Sequence, residues 1–379
     1  MLNYEFPPIG GGTGIACYYT LQEMVRESDL QIDLVTFSPS GTYQIIDHSE
    51  NIRIHYVDCG KKKHLQHWRA KELARWTIAA IRYCRTLLKT SHYDLCHAWS
   101  GWPAGVVAYT LKSKIPYIVA LRGSDVPGHT PRTAVIDNLF MRRLSRTVWS
   151  KAHCVTTVSN KLQSLARQTL RRDYRVVRNG VDISLFGSSK KTNMSENIRF
   201  LYVGRINENK GIMDFLDAVL ALKEHLMTNG VSFSVTIIGD GPLNAVMSNF
   251  ITENQLSDIV TFFGNVSHGK LPEIYFSHDV LVFPSHSDAM SNVVLESIAS
   301  GLAIISTNTG AAEILHSNGI IVPVKNSVAI KNAMLQLILD RDRLNAMKES
   351  SEALRRDMSW GRSCDQYLEI YRSVITSAV

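Results

Sequence analysis

The sequence contains little of what metal sites, disulfide frameworks and membrane spans require. Its six cysteines are scattered and form no CxxC pair, and its thirteen histidines show no HExxH spacing. This pattern predicts neither a disulfide framework nor a protein-held metal. No window approaches the roughly 18 apolar residues of a spanning helix, and the N-terminus lacks the features of a signal peptide. We therefore expect a cytoplasmic protein.

Length and charge predict two domains. The chain has 379 residues, 45% of them hydrophobic and 20% charged, which is typical of globular proteins but too long for one ordinary core. The net charge of +7 is uneven, because residues 1–180 carry +12 and residues 181–379 carry −5. This asymmetry indicates two domains with different partners, and the basic half could meet nucleic acid or an anionic membrane.

Apolar runs alternate with helical patterns along both halves of the chain. In residues 1–186 the predicted strands are 32–37, 52–57, 93–98, 117–121 and 154–158. The polar stretch 187–197 predicts a linker. Beyond it the predicted strands are 199–203, 231–238, 260–263, 280–283 and 302–306. The alternation predicts parallel sheets covered by helices. We expect two Rossmann-like domains, 1–186 and 198–355, and then an amphipathic helix within 356–379.

A glycine loop at residues 7–14 follows a short apolar segment. Three consecutive glycines let the backbone approach a ligand closely, and the helix predicted at 15–25 would point its N-terminus at that ligand. A plain glycine turn is the alternative. A dinucleotide fingerprint is a poor match because Cys17 stands where a third glycine should. Only residues 1–6 precede the loop, so we expect a first strand that is short or that starts upstream of Met1.

The most informative segment is 288–310, which places two acids, Asp288 and Glu296, eight positions apart. Small residues follow Glu296, and a β-rich run then leads to a polar turn. The pattern predicts a loop that enters a short helix, followed by a buried strand. A helix N-terminus attracts phosphate, and an acid can accept hydrogen bonds from ribose hydroxyls. The segment therefore suggests a sugar nucleotide, with one acid for each sugar and the helix start for the pyrophosphate.

Two further strand ends carry residues suited to a phosphate ligand. Arg205 and Lys210 follow the strand 199–203, where a ligand of a doubly wound sheet would bind. Two cations there suit a pyrophosphate that gains charge as a bond breaks. The glycine-containing turn 239–242 follows the next strand and would line a nucleotide pocket. The alternatives are ordinary solvated cations and a simple turn.

Taken together, these features resemble the retaining glycosyltransferases of family 4, which have the two-domain GT-B fold. The matching segments keep the family's order along nearly the whole chain: 10–12, 121–128 (LRGSDVPG), 177–182 (VRNGVD), 204–211, 239–242 and 288–296. The resemblance implies an α/β protein with two Rossmann-like doubly wound domains that face a central cleft. The C-terminal helix would cross back onto the first domain. The enzyme would be of the hexosyltransferase type.

The resemblance assigns a role to each matching position. Arg205 and Lys210 would hold the leaving diphosphate, Glu296 would bind the ribose hydroxyls, and Asp288, where the family usually has Glu, would face the donor sugar. The other donor-binding positions that it implies are Gly11, Gly12, Gly239, Asp240, Gly241, Asn292, Val293 and Val294. Retention would need no enzyme nucleophile, because the leaving diphosphate would take the acceptor's proton. We expect no metal and no cofactor, and a nucleotide-diphosphate sugar as co-substrate.

Two positions near the reacting sugar depart from the family's pattern. Asp288 is one methylene shorter than Glu, which changes its reach. Arg122 stands where many members carry a histidine, and a guanidinium cannot act as a base. Arg122 would therefore act by charge or hydrogen bonding. Asp125 would either bind the acceptor or pair with Arg122.

A basic stripe lies on the long helix predicted at 65–89. Its cations fall on one face at 100° per residue: Lys71, Arg75, Arg82, Arg85 and Lys89. The stripe is either an ordinary solvated face or a docking site for anionic lipid, at about 1 kcal/mol per nearby cation. Docking would suit a lipid-linked saccharide acceptor in envelope polysaccharide or lipopolysaccharide synthesis. The protein would then be peripheral on the inner face of the cytoplasmic membrane.

Three alternatives compete with this hypothesis. A sugar-nucleotide epimerase on the same fold would need a cluster of residues for proton abstraction, and none is evident in the sequence. A transferase could instead act on a soluble acceptor. A nucleic-acid-binding module would use the basic half, but the sequence shows no recognised motif or stacking-aromatic platform, so we expect no nucleic-acid partner.

Overall fold

The computed structural model describes residues 1–9, 11–61, 68–129, 140–187, 197–226 and 232–378. Gly10, residues 188–196 of the predicted linker and residues 65–67 of the predicted basic helix lie outside the described residues. Along the chain the elements are α1 (Gly12–Met24), β1 (Ile32–Phe37), β2 (Gln44–Ser49), β3 (Ile52–Val57), α2 (Ala70–Thr90), β4 (Cys96–Ala98), α3 (Ala104–Leu111), β5 (Tyr117–Leu121), α4 (Arg142–Ser150), β6 (Cys154–Thr157), α5 (Asn160–Thr169), β7 (Arg175–Val176), α6 (Ile183–Phe186), β8 (Ile198–Val203), α7 (Ile212–Leu226), β9 (Phe233–Ile238), α8 (Asn244–Glu253), β10 (Val260–Gly264), α9 (Leu271–Phe276), β11 (Val280–Phe283), α10 (Asn292–Ala299), β12 (Ala303–Thr307), β13 (Gly319–Val322), α11 (Ser327–Leu339), α12 (Arg341–Leu354) and α13 (Trp360–Ala378).

The chain divides into two compact units. Unit 1 comprises Met1–Gly180 with Trp360–Val379, and unit 2 comprises Val181–Ser359. The division differs from the predicted boundary at residue 186, because Val181 pairs with Ser359 in a parallel bridge and so groups with the second unit. The predicted C-terminal segment 356–379 likewise divides at Ser359, and α13 belongs to unit 1.

In unit 1 a short segment at the start of the chain joins two sets of strands. The strand orders are β1-β3-β2 and β4-β5-β6-β7. Leu2 forms parallel bridges with both Val35 of β1 and Ala98 of β4, so Met1–Asn3 runs between the two sets. Among the described strands of the unit every pairing is parallel except that of β2 with β3, and an isolated antiparallel bridge joins Phe6 and Ile9. The exposed strand β2 was not predicted, because its apolar residues face solvent and give no burial pattern.

The helices of unit 1 cover this sheet. Helices α2, α3 and α4 pack side by side, with α2 against β1 and β3 and α3 against β4 and β5. Helix α13 packs on α1, where the rings of Tyr19 and Trp360 stack with their centroids 5.6 Å apart. The α13 face predicted to be apolar is buried at Tyr367, Ile370 and Tyr371. The C-terminal helix is therefore part of the core of unit 1.

Unit 2 contains a six-stranded parallel sheet in the order β10-β9-β8-β11-β12-β13. Its core includes Phe200, Phe215, Ile237, Met334 and Leu337, all fully buried. The strand order reverses direction between β8 and β11, which defines the switch point of a doubly wound sheet. The predicted α/β architecture with parallel sheets is confirmed, although α6, β13, α11 and α12 were not predicted from the sequence.

Candidate active site

The candidate site of unit 2 lies at the carboxyl ends of β8 and β11, on either side of the switch point. Ligands of doubly wound sheets bind at this position, because the loops after the two strands diverge and leave a crevice. The loop after β8 carries Arg205 and Lys210, and the loop after β11 carries Asp288. The fold therefore brings to one place residues that the sequence separates by about 80 positions.

Lys210 and Asp288 form an ion pair at this switch point. The Nζ atom of Lys210 lies 2.6 Å from Oδ2 of Asp288, and the two side chains are 25% and 12% exposed. The ammonium also lies 5.4 Å from the ring centroid of Phe283, the last residue of β11. A half-buried cation held by a carboxylate and an aromatic ring is positioned to meet a ligand anion.

Arg205 is exposed, and its loop is fixed by the glycines of the neighbouring loop. A Cβ atom on Gly239, whose φ is +144°, would collide with the carbonyl oxygen of Gly204, and one on Gly241 would collide with that of Ile206. The amide of Ile206 donates to the carbonyl of Asp240 over 3.0 Å. These glycines therefore have a packing role, since they let the loops after β8 and β9 touch. Their predicted contact with the donor stays a prediction.

The loop that carries Asp288 is attached to its surroundings on both sides. The amide of His286 donates to the carbonyl of Asn209 over 2.8 Å. The ring Nε2 of His286 lies 2.5 Å from Oδ2 of Asp214. On the other side the amide of Gly310 donates to the carbonyl of Asp288 over 2.9 Å. A side chain at Gly310 would collide with the carbonyl of Ala289. Asp288 is thus presented by a rigid loop.

Glu296 lies inside α10 and its side chain is only 9% exposed. Its carboxylate accepts a hydrogen bond from Tyr275 Oη over 2.9 Å and lies 3.1 Å from Nε2 of His268. The hydrogen bond with Glu296 raises the pKa of His268 above its ordinary value, although burial opposes it. Burial, and then the charge of Glu296, raise the pKa of Tyr275, so this phenol stays a hydrogen-bond donor at ordinary pH.

Helix α10 begins at Asn292, and the predicted positions Asn292, Val293 and Val294 form its first turn. In the described structure the side chain of the preceding Ser291 accepts no capping hydrogen bond from these amides. The first-turn N–H groups of a helix carry partial positive charge, so this end favours an anion.

In unit 1, Arg122 and Asp125 lie just after β5. Arg122 Nη2 donates to Oδ1 of Asn179 over 2.6 Å, and its guanidinium lies 5.1 Å from the ring centroid of Trp99. The buried carboxylate of Asp125 accepts backbone N–H bonds from Arg122, Gly123 and Gly101 at 2.9, 2.8 and 2.6 Å. In this described part of the chain Asp125 thus bonds the backbone of Arg122 and not its guanidinium. Of the two predicted roles of Asp125, pairing with Arg122 takes the form of a backbone hydrogen bond, and binding of the acceptor stays a prediction. Asp125 fixes the turn that presents Arg122.

The glycine loop of unit 1 ends at the start of α1. Gly12 is the first residue of this helix, and the amide of Gly11 donates to Oε2 of Glu5 over 3.1 Å. A carboxylate therefore already accepts a hydrogen bond at this helix N-terminus, as expected of a place that favours anions.

Comparison with known proteins decides the family. Residues 10–185 match the family model described as Glycosyltransferase Family 4, and residues 197–340 match the one described as Glycosyl transferases group 1. The chain is a family 4 glycosyltransferase. It is 24% identical to an uncharacterized glycosyltransferase of Methanocaldococcus jannaschii over 99% of this chain and 97% of that protein. It is 28% identical to the putative teichuronic acid biosynthesis glycosyltransferase TuaC of Bacillus subtilis over 69% of this chain and 66% of that protein.

Solved structures identify the fold of this glycosyltransferase as GT-B. Sucrose-phosphate synthase of Thermosynechococcus elongatus aligns with a TM-score of 0.80 at 18% identity, covering 97% of this chain and 94% of that one. HepE of Anabaena, solved in complex with UDP-glucose, aligns with a TM-score of 0.73 at 18% identity and covers 98% of both chains. None of the described helices is both long enough and apolar enough to span a bilayer.

Several residues that shape the site of this glycosyltransferase were not predicted from the sequence. They are Asp214, His268, Tyr275, His286 and Gly310. No spacing signal connects Asp214, His268 and Tyr275 to Asp288 or Glu296, because each lies on another element. His286 lies in the same loop as Asp288, and Gly310 ends the segment 288–310, but neither residue type indicated a contact with this loop. Tyr275 alone had a hint in the sequence, since a tyrosine in a short apolar helix is usually buried and then needs a partner for its hydroxyl.

Proposed function

We propose that this glycosyltransferase moves a hexosyl or N-acetylhexosaminyl group, with retention, from a nucleotide-diphosphate sugar to a hydroxyl of a saccharide acceptor. The observation that carries the proposal is the ion pair of Lys210 and Asp288 at the switch point. A cation beside a carboxylate suits a donor whose diphosphate needs positive charge and whose sugar needs a hydrogen-bond acceptor. UDP is the first nucleotide to test, because HepE was solved in complex with UDP.

The proposed reaction is a displacement on one face of the donor sugar. The bond between the anomeric carbon and the diphosphate oxygen breaks as the acceptor oxygen attacks from the same face. The acceptor's proton passes to the departing diphosphate, so no protein base is needed. Arg205 and Lys210 would stabilise the charge that grows on the diphosphate, and the first turn of α10 would add its N–H groups.

Glu296 would accept hydrogen bonds from the donor's ribose. Its buried carboxylate is fixed by Tyr275 and His268, and it lies one helical turn beyond the proposed phosphate-binding end of α10. The spacing suits a nucleoside diphosphate, since the ribose directly follows the phosphates. Asp288 would meet the donor sugar on the other side of them.

The proposed acceptor is lipid-linked, in an envelope polysaccharide pathway. All five cations of the α2 stripe are exposed, while Trp76, Ala80 and Cys84 on the opposite face are buried. Helix α3 packs beside α2 and α4 packs beside α3, and residues 96–124 and 140–172 contain no Asp or Glu. The exposed cations of α2, next to this part of the chain without acids, suit an anionic lipid surface. The name of TuaC, a putative teichuronic acid biosynthesis glycosyltransferase, is consistent with a role in polymer synthesis.

The test of the reaction is the anomeric configuration of the product. The protein is incubated with UDP-, GDP- and ADP-sugars and a saccharide acceptor, and the product is analysed by NMR. We expect a product that keeps the donor's anomeric configuration. An inverted product would contradict retention, and a new sugar nucleotide formed from donor alone would favour the epimerase. A soluble acceptor used as well as a lipid-linked one would contradict the acceptor class.

A further inference from the structure

The hydrogen bonds of the Glu296 carboxylate point to a function for residues outside the predicted site. Tyr275 lies on α9 and is fully buried, and His268 lies in the turn before α9. Each contacts a different oxygen of the carboxylate, Oε2 and Oε1 respectively. An ionised carboxylate only accepts hydrogen bonds, so both Tyr275 Oη and His268 Nε2 must donate.

These two donors fix the plane of the carboxylate. The last torsion of a glutamate side chain is broad, so a carboxylate held on one side only would rotate. An ionised carboxylate offers about four acceptor positions, two on each oxygen. Tyr275 occupies one acceptor position on Oε2 and His268 occupies one on Oε1, so one acceptor position remains on each oxygen. Two remaining positions in a fixed plane match the two neighbouring hydroxyls of a ribose.

We propose that His268 and Tyr275 are positioning residues for the nucleotide's ribose, because they orient Glu296 so that it accepts both ribose hydroxyls. The proposal rests on the proposed function of Glu296 and extends it to two residues on other elements. It assigns them no contact with the reacting atoms. Their effect is on donor affinity and on the discrimination between ribose and deoxyribose.

A third element supports this arrangement. The ring of Phe186, at the end of α6, meets the rings of His268 and Tyr275 edge to face, with centroids 5.4 and 5.7 Å away. Asp182 caps α6 by accepting from the amides of Ser184 and Leu185. The charges of Glu296 and Asp182 both favour the protonated form of His268. The segment 181–186 thus holds the two positioning rings against α10.

The experiment measures the affinity of the full chain for UDP, GDP and ADP and for their 2′-deoxy forms by calorimetry. The diphosphate with the highest affinity is then used with the variants. We expect wild type to bind the ribose form about ten-fold or more tightly than the deoxy form, because the deoxy form loses a hydrogen bond to a charged group. In His268→Ala and Tyr275→Phe we expect this ratio to fall to about two- to three-fold. His268→Gln keeps a hydrogen-bond donor at this position, so its ratio of ribose to deoxyribose affinity should stay closer to the wild-type value than that of His268→Ala.

The controls separate this inference from the proposed function. His316 is an exposed histidine in the turn before β13, so His316→Ala should keep the wild-type ratio. If His268→Ala and Tyr275→Phe both keep the ratio while Glu296→Gln loses it, the positioning role is overturned and the ribose role of Glu296 stands. If wild type binds none of the three diphosphates, or Glu296→Gln keeps the ratio, the role of Glu296 fails and the inference fails with it. A fall confined to Tyr275→Phe overturns the role of His268. If His268→Ala does not fold, the affinity ratios of His268→Gln and Tyr275→Phe test the positioning role in its place.

Discussion

Lys210 and Asp288 are 78 residues apart in sequence and 2.6 Å apart in the structure. The pair joins the loop after β8 to the loop after β11 across the switch point of unit 2. The two charges of the pair balance each other, so a ligand diphosphate would compete with Asp288 for the lysine. The pair would then connect phosphate binding to the position of the carboxylate that would meet the donor sugar.

Removing Lys210 should abolish most of the activity without unfolding the protein. We expect Lys210→Ala to lower kcat by about 10²-fold or more, as does the loss of one transition-state contact. The reason is that the diphosphate would lose its half-buried cation. The measurement is turnover of the donor that the sugar-nucleotide panel identifies. Near-normal turnover in both Lys210→Ala and Glu296→Ala would contradict the assignment of the site.

Lys348 provides a matched control for Lys210. Its Nζ lies 2.9 Å from Oδ1 of Asp279, and the two side chains are 26% and 11% exposed, close to the values for Lys210 and Asp288. This second pair lies at the amino end of β11, away from the switch point. Lys348→Ala should therefore leave turnover unchanged. It should lower the melting temperature no more than Lys210→Ala does, because Arg199 still pairs with Asp279.

Gly239→Ala should destabilise unit 2 strongly. The new Cβ would collide with the carbonyl oxygen of Gly204, and φ at this position is +144°. We expect a loss of about 2–3 kcal/mol or more of unfolding free energy, measured by urea denaturation. Gly264→Ala is the control, since Gly264 has a positive φ of +70° but open space around it. Gly264→Ala should lower the unfolding free energy by only about 1 kcal/mol. Equal losses in the two variants would show that the contact between Gly239 and Gly204 does not contribute to stability.

The interaction of His268 with Glu296 should make stability depend on pH. The pKa of His268 is raised above its ordinary 6.5, mainly by this hydrogen bond. A raised pKa in the folded state gives stability that is fully present below the unfolded pKa and is lost as pH rises through the folded one. We therefore expect wild type to melt above His268→Gln at about pH 6, and the difference to shrink by about pH 9. His316→Ala should show no such trend. A difference that grows with pH would contradict the assigned charge state.

The basic stripe on α2 should control binding to anionic vesicles. Arg82→Glu with Arg85→Glu should weaken co-sedimentation with phosphatidylglycerol vesicles at low salt by about ten-fold or more, since each cation contributes about 1 kcal/mol. The matched control reverses two exposed cations of unit 2, Lys325 and Arg343. That variant should sediment like wild type. Equal recovery of wild type with neutral vesicles would rule out the docking site.

The alternation of apolar strands and helices made most of the fold predictable from sequence. The fully buried strands β5 and β11 are continuous apolar runs, which is typical of parallel strands covered on both faces. Strand β2 could not be predicted, because Ile45 and Ile46 are exposed there and the strand is defined only by its pairing with β3. The boundary at Val181 was also hidden, since it depends on a bridge to Ser359, far along the chain.

The residues of the candidate site could be singled out from the sequence where a charged side chain follows a predicted strand or enters a predicted helix. Lys210 and Asp288 lie in the loops after β8 and β11, and Glu296 lies one turn into α10, so their charge and spacing gave a signal. His268 gave none and Tyr275 gave only a hint of burial, because their role depends on a contact with α10 that sequence spacing does not encode. Asp125 left two alternatives open, binding of the acceptor and pairing with Arg122. Its contacts could not be read from the sequence, because its buried carboxylate accepts from three backbone amides, one of them 24 residues away.

The most direct test of the account is calorimetric titration of wild type, Lys210→Ala, Glu296→Gln and Lys348→Ala with UDP-, GDP- and ADP-sugars. We expect one nucleotide class to saturate wild type and Lys348→Ala equally. We expect Lys210→Ala and Glu296→Gln to bind it about ten-fold or more weakly, because each loses a charged contact. Saturation of no protein by any donor, or the same affinity in all four, would contradict the account.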